Sequence, residues 1–221
     1  MVTNEANYGK IDAAALSEIV ARVVARYRTP PRVKVGVSNR HIHVSREDLR
    51  LLFGENHELT PKKELLPGQY ACEETVTVTG KKGRLERVRI LGPVRKETQV
   101  EVSLTDGFTL GIHVPVNESG NLKGAGAVTI ENPQNGAKIE RTCAIAALRH
   151  IHLSPEFAGI YGFRDKQVVS VSFEGTRGLR FDNVLLRVSE DFFDEMHMDT
   201  DEANAAGVKT GDYVTICGNA E

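Results

Sequence analysis

Two six-residue words in this chain are nearly the same: Arg40-His41-Ile42-His43-Val44-Ser45 and Arg149-His150-Ile151-His152-Leu153-Ser154. The chain has 7 histidines, and these words hold four of them. In a β-strand, residues i and i+2 share a face. Each word therefore projects two imidazoles side by side, a spacing that suits one cation about 2.0–2.1 Å from each nitrogen. A third ligand from a neighbouring strand completes a facial set and leaves a coordination position open, the arrangement of catalytic rather than structural zinc. One H-x-H alone is more often a pair of core or surface histidines. Two copies in matched context point to metal.

An internal repeat supplies the third ligands. His41 and His150 are 109 residues apart. Downstream, Val88 of VRIL aligns with Val184 of VLLR at an offset of 96. That offset sets Gly111-Ile112 over Gly207-Val208, and Glu101 over His197. Half one offers His41, His43 and Glu101; half two offers His150, His152 and His197. Imidazole with one carboxylate suits zinc, and also iron, cobalt or manganese. A repeat of this kind predicts two similar barrels related by a pseudo-twofold axis. His57 and His113 fall outside the pattern.

Three basic features invite separate readings. Strand alternation puts Arg40 and Arg149 on the face opposite the histidines, so they read as barrel or surface residues. Arg95, in LGPVRKETQVEVS, lies between a Gly-Pro break and the strand of Glu101. A guanidinium there can offer a bidentate fork to an anion at the metal, or it is a solvated loop charge. The run from Lys81 to Arg89 is dense in Lys and Arg and reads as a solvated hairpin or a patch for a phosphorylated ligand. The Gly-rich stretch Gly120–Gly126 lacks the G-x-x-x-x-G-K-[ST] pattern of a phosphate-binding loop.

The elements that must hold these residues are mostly β. One helix is expected over Ile11–Arg28, with apolar residues at Leu16, Ile19, Val20, Val23, Val24 and Tyr27 and a stop at Thr29-Pro30-Pro31. It either packs on its own core or lays its stripe on another protein. Beyond Pro31 the texture is short β-branched runs: VKVGVSN, TVTVTG, LERVRILG, TQVEVSL, AVTIEN, QVVSVSF, FDNVLLRV and DYVTICG. Their close spacing suggests barrels or sandwiches. SPEFAGIYGFRDKQVVSVSF and DTDEANAAGVKTGDYVTI share a grammar of acidic turn, Gly and strand that resembles the half-repeats of double-psi-type β-barrels.

Composition excludes several function classes. The 221 residues suffice for one or two domains with their own cores. A net charge of −2 gives no basic field for nucleic acid or membrane. Trp is absent and aromatics are 6%, which leaves no base-stacking surface. No apolar run is long enough for a membrane span, and the N-terminus lacks a secretory pattern. Cys72, Cys143 and Cys217 are scattered and form no CxxC, which fits a reducing cytosol.

In combination, GVSNRHIHVS, LGPVRKETQVEVS, LRHIHLSPE and MHMDTDEANAAG make the chain resemble the PduL family of phosphate acyltransferases (phosphotransacylases) of bacterial microcompartments. The resemblance spans Val35–Gly211, with no departure at the ligand positions. It implies a mainly β fold of two similar barrels with short capping helices, and transfer of an acyl group, propanoyl or acetyl, between coenzyme A and phosphate. It implies two divalent ions, zinc above all, held by His41, His43 and Glu101 and by His150, His152 and His197. Arg95 would hold phosphate, with Ser119 as its neighbour. Coenzyme A would lie against Val37, Ser38 and Asn39, with Lys82, Arg89 and Asn204 as further contacts. The strand before each RHIH would complete the other half's barrel. This divides the chain into an N-terminal helix and linker (1–31), barrel one (40–147) and barrel two (32–39 plus 148–221). The helix resembles encapsulation peptides, so microcompartment shell or core proteins become expected partners, with residence in the bacterial cytoplasm inside a microcompartment and a homo-oligomeric state. No Ser-His-Asp set is evident and no cysteine sits in a motif, so direct attack by phosphate is expected rather than an acyl-enzyme. The same ligands would also serve a zinc-dependent thioester hydrolase, and a metal-binding barrel module without activity is the non-enzymatic alternative.

Overall fold

The structure, a computed structural model, describes residues 12–28 and 30–219. A helix α1 (Ala13–Arg28) leads into strands β1 (Arg32–Ser38) and β2 (His41–His43). Then come α2 (Arg46–Phe53), β3 (Pro61–Leu66), β4 (Gln69–Thr79), β5 (Arg84–Gly92) and β6 (Gln99–Glu101). A capping helix α3 (Leu104–Leu110) precedes β7 (Val116–Asn117), β8 (Gly126–Glu131) and β9 (Lys138–Ala147). The second half runs β10 (His150–Leu153), α4 (Pro155–Tyr161), β11 (Val168–Phe173), β12 (Leu179–Val188), β13 (Glu195–Asp199), α5 (Thr200–Ala206) and β14 (Tyr213–Asn219).

These strands form two closed barrels, as the sequence leads one to expect. One closes in the order β1-β13-β10-β12-β11-β14. The other closes through β4-β5-β2-β6-β9-β8, with β8 returning to β4. The two orders superpose step for step: β2 and β10 are each parallel to one neighbour, β5 or β12, and antiparallel to the other, β6 or β13. β1 runs parallel to β13 and closes the second barrel, although it precedes β2 of the first. β9, immediately before β10, closes the first barrel beside β6. The 13-residue change of offset falls where β3 is inserted: β3 pairs with β4 and lies outside the ring.

Alternation explains why the histidines face out. Ile42 and Ile151 sit at the centres of the two words and are fully buried, one in each barrel's core. Burying such a side chain is worth roughly 1.5–3 kcal/mol, enough to fix which face of a short strand turns inward. The flanking histidines must then leave the barrel surface together. Each word ends on an N-cap: Ser45 accepts a hydrogen bond from Asp48 N to start α2, and Ser154 accepts from Phe157 N to start α4.

The helices α3 and α5 form the same device twice. Ser103 with Asp106, and Asp199 with Glu202, make capping boxes at their N-termini. Gly111 and Gly207 close their C-termini in the left-handed region, φ 69° and 67°, where a side chain would be strained. Helix α1 begins at Ala13; Ile11, where the sequence starts it, lies outside the described residues. It touches α4, yet Leu16, Ile19, Val20, Val23 and Val24 remain 41–55% exposed.

Candidate active site between the barrels

A small cavity opens between the barrels. The crossing segments Ser38–Arg40 and Ala147–Leu148 contribute to its walls, together with His41, Glu101, His150 and His197. The two words thus end in one place, because each follows a strand that crosses to the other barrel.

The register brings members of each expected set side by side. His41 stands directly across from Glu101, and His150 directly across from His197. His41 Nδ1 donates to Asn39 O at 2.8 Å, and His150 Nδ1 donates to Leu148 O at 2.9 Å. A carbonyl can only accept, so the proton sits on Nδ1 and the Nε2 lone pair is left for the cavity. In the first trio, Glu101 oxygens lie 3.4 Å from His41 Nε2 and 3.6 Å from His43 Nε2. Two ligands each about 2.0–2.2 Å from one tetrahedral ion stand roughly that far apart. Among the described residues this trio alone brings three ligand atoms within 4.8 Å of one another. The second trio is looser. Its ring centres are 4.7, 4.8 and 5.2 Å apart, and His152 stacks flat on Phe192 at 3.9 Å.

Buried nitrogens without hydrogen bonds show what the trios lack, although Glu195 Oε2 lies 3.5 Å from His197 Nε2. His43 Nδ1, both His152 nitrogens and His197 Nε2 are buried with no hydrogen bond. Such atoms are costly unless something fills the position. Burial pushes His152 down to about 2 and His197 to about 3, with the neighbouring imidazoles of the trio adding to the shift. Both rings therefore stay neutral, the form a metal requires. Burial would raise the Glu101 carboxyl, yet His41 and His43 hold it well below the usual carboxylate range. Burial also lowers His43 and His150, whereas at His41 burial is outweighed by Glu101, which raises it. An imidazole-rich pair of clusters with one ionised carboxylate, which a cation would replace as the partner of His41, fits divalent ions of the zinc type.

Around Glu101 runs a network that spacing alone does not reveal. Arg95 Nη1 donates to Ser119 Oγ at 3.1 Å, and Ser119 Oγ donates to Glu101 Oε1 at 2.8 Å. Buried Gln99 donates to both Glu101 Oε1 and Ser119 Oγ. Arg95 is tied back to the first word, its N–H donating to Val44 O at 2.9 Å. Burial lowers the Arg95 pKa, Glu101 opposes that, and Arg187 on the second barrel adds to it.

The remaining expected residues are scattered. Ser38 and Asn39 line the cavity; Val37 and Asn204 line an adjoining groove with Lys209 and Thr210. Arg89 stands across from His41 on β5, but its guanidinium donates to the carbonyls of Cys72 and Glu73. Lys82 lies on the exposed β4–β5 turn, its stem packed over Gly111. Arg40 is not turned away from the site: it contributes to the cavity wall. It precedes the first residue of β2, so strand alternation does not govern it. Arg40 pairs with Asp106 at 2.9 Å and Arg149 with Glu202 at 2.5 Å. Both acids are the third residues of capping boxes, and the 96-residue offset places one over the other. That correspondence was available in the sequence; Phe192 and Arg187 had no such signal.

Two like barrels, short capping helices and a histidine-bearing cleft lined from both halves define a class of double-barrel proteins with a candidate site between the halves. A family described as phosphate propanoyltransferase matches residues 34–209. The phosphate propanoyltransferase of Thermotoga maritima is 56% identical over 199 residues, 89% of this chain and 94% of that protein. Those of Salmonella typhimurium and Clostridioides difficile are 50% and 45% identical, over 89% and 91% of this chain and 93% and 96% of theirs. The chain belongs to the phosphate propanoyltransferase family and is an acyltransferase acting with phosphate.

Proposed function

We propose that the chain transfers a short acyl group, propanoyl or acetyl, reversibly between coenzyme A and inorganic phosphate, at a site holding two divalent ions, zinc by preference. The observation that carries this reading is the Arg95–Ser119–Glu101 chain beside one histidine pair and facing a second histidine cluster across one cavity. His41, His43 and Glu101 would hold one ion, and His150, His152 and His197 the other. When bound, such ions supply the positive charge that lets two anions meet and that polarises a thioester carbonyl.

The chain's own residues do the positioning. Arg95 holds phosphate with a guanidinium fork aimed by Ser119. Val37, Ser38, Asn39 and Asn204 are the contacts proposed for coenzyme A, with Lys82 and Arg89 reaching its outer part. A phosphate oxygen forms the new bond to the acyl carbon, the carbon–sulfur bond breaks, and sulfur departs as the coenzyme A thiolate. No cysteine is poised to intercept the acyl group: burial pushes the Cys72 and Cys143 thiols up to about 11 and about 12, and Cys217 is exposed on β14. Ser119 is engaged with Glu101 and Arg95 rather than with an imidazole base.

The exposed stripe of α1 suits a docking role on microcompartment shell or core proteins, and we assign the chain to a bacterial microcompartment on that ground together with the family. A homo-oligomer is proposed likewise. No helix among the described residues is long and apolar enough to cross a membrane. The test is thiol release from propanoyl-CoA and acetyl-CoA with and without phosphate, alongside metal quantitation. Release that depends on phosphate and two metals per chain is the expected result. Release that ignores phosphate would make the protein a thioester hydrolase.

A further inference from the structure

The second barrel carries a guanidinium of its own beside its histidine cluster. Arg187 on β12 stands across from His152 on β10. Their neighbours Leu186 and Ile151 are fully buried in the barrel core, so alternation turns Arg187 and His152 outward together. One aromatic ring touches both. Phe192 stacks on the His152 imidazole at 3.9 Å and 8°, and Arg187 Cζ lies 5.8 Å from the centre of the same ring, within cation–π range. Arg187 is close enough to weigh on the charge of all three histidines of its barrel, and on Arg95 of the other.

What sets Arg187 apart is the lack of a counter-ion. Arg40 has Asp106 and Arg149 has Glu202. Among the described residues no carboxylate forms an ion pair with Arg187, and Arg95 donates to a hydroxyl. Glu101 is the acid that balances Arg95, through Ser119; on the second barrel Arg187 stands beside the histidine cluster with no acid of its own. The two like charges disfavour one another until an anion enters.

We propose that Arg187 is the second arm of the phosphate seat: with Arg95 it grips inorganic phosphate, and in the reverse direction the phosphoryl end of the acyl phosphate, between the two barrels. The proposal rests on the phosphate-transfer reading above. Phosphate is the fitting class because its oxygens accept two guanidinium forks from opposite sides. Phe192 acts as a positioning residue, holding Arg187 and His152 against one surface.

The experiment uses the full-length, metal-loaded protein with Arg187→Gln, Arg187→Lys and Phe192→Leu. Loss of a charged bidentate contact predicts a rise in the phosphate KM of about 10- to 100-fold in Arg187→Gln, with the KM for propanoyl-CoA and the melting temperature nearly unchanged. Arg187→Lys recovers part of the loss, since it keeps charge without the fork. Binding of inorganic phosphate alone, followed by calorimetry, weakens in step. An unchanged phosphate KM in both Arg187 variants overturns the proposal. A rise confined to the KM for propanoyl-CoA also overturns it, and assigns Arg187 to the diphosphate of coenzyme A instead. Parallel loss of kcat and melting temperature, with the phosphate KM unmoved, reduces Arg187 to a structural role. If the unsubstituted protein releases thiol without phosphate, the functional reading itself fails, and this proposal with it.

Discussion

Glu101 is the residue on which the first trio turns. It accepts from Ser119 and Gln99 while facing both imidazoles. Glu101→Gln keeps its shape and removes its charge. We expect metal content to fall from about two per chain to about one, and activity to fall at least about 100-fold, the scale of a lost charge in a desolvated site. Elemental analysis and the phosphate-dependent assay check this; full occupancy would exclude Glu101 as a ligand. The second trio gives a prediction in pH. His152 and His197 are held at about 2 and about 3, against about 6.5 in an unfolded chain. As pH falls below about 6.5 the unfolded chain takes up protons at these sites and the folded chain does not. Stability is therefore complete above pH 6.5 and drains as pH drops from there towards 3, by up to about 1.4 kcal/mol per unit for each histidine. The metal-free protein should melt lower at pH 5 than at pH 7, and His197→Asn should flatten that slope. A melting temperature level across this range would contradict it. These histidines were legible because a rare residue recurs at period two. Arg187 was not: the offset of 96 places it over Leu91, so the repeat carries no mark of it.

At the scale of elements, the repeated word now has a task for each letter. Its arginine ties to the acid of a capping box, its first histidine lines the cleft and its second lies buried beside it across an inward isoleucine, and its serine starts a helix. Alternation reads the histidines and isoleucine correctly, because they lie inside strands. It fails for Arg40 because that residue stands before the strand, where the crossing peptide sets direction. Arg149→Met should lower stability by about 1–3 kcal/mol, since burial already raises the Glu202 carboxyl and the substitution strips its partner. Chemical denaturation measures that loss, and a neutral result would mean the pair is as weak as an exposed one. Helix α1 lies at the other extreme. It touches α4 and buries little of its stripe. Removing residues 1–28 should leave melting temperature and specific activity close to those of the full chain, whereas removal through Ser38 strips β1 and should abolish folding.

For the whole molecule, the strand order divides the chain unevenly. Every strand of the first barrel lies within residues 41–147, while the second draws β1 from before it and the rest from beyond His150. A fragment of residues 40–147 should fold by itself. Residues 148–221 should not, because β13 and β14 are left with open edges where β1 belongs. Circular dichroism of the two fragments, with and without a peptide of residues 32–39, distinguishes these outcomes; a cooperatively folded 148–221 would refute the reading of β1 as essential to closure.

The exchanged strands also speak to origins. Take each half as a unit that starts at β1 or at β9: its first strand is spent on the other unit's barrel. A single ancestral copy of such a unit would have had no complete barrel, and could have existed only as a strand-swapped pair. In such a pair symmetry would make the two histidine clusters identical. Fusion into one chain would lift that constraint, and the two halves do differ: Glu101 faces His41 where His197 faces His150.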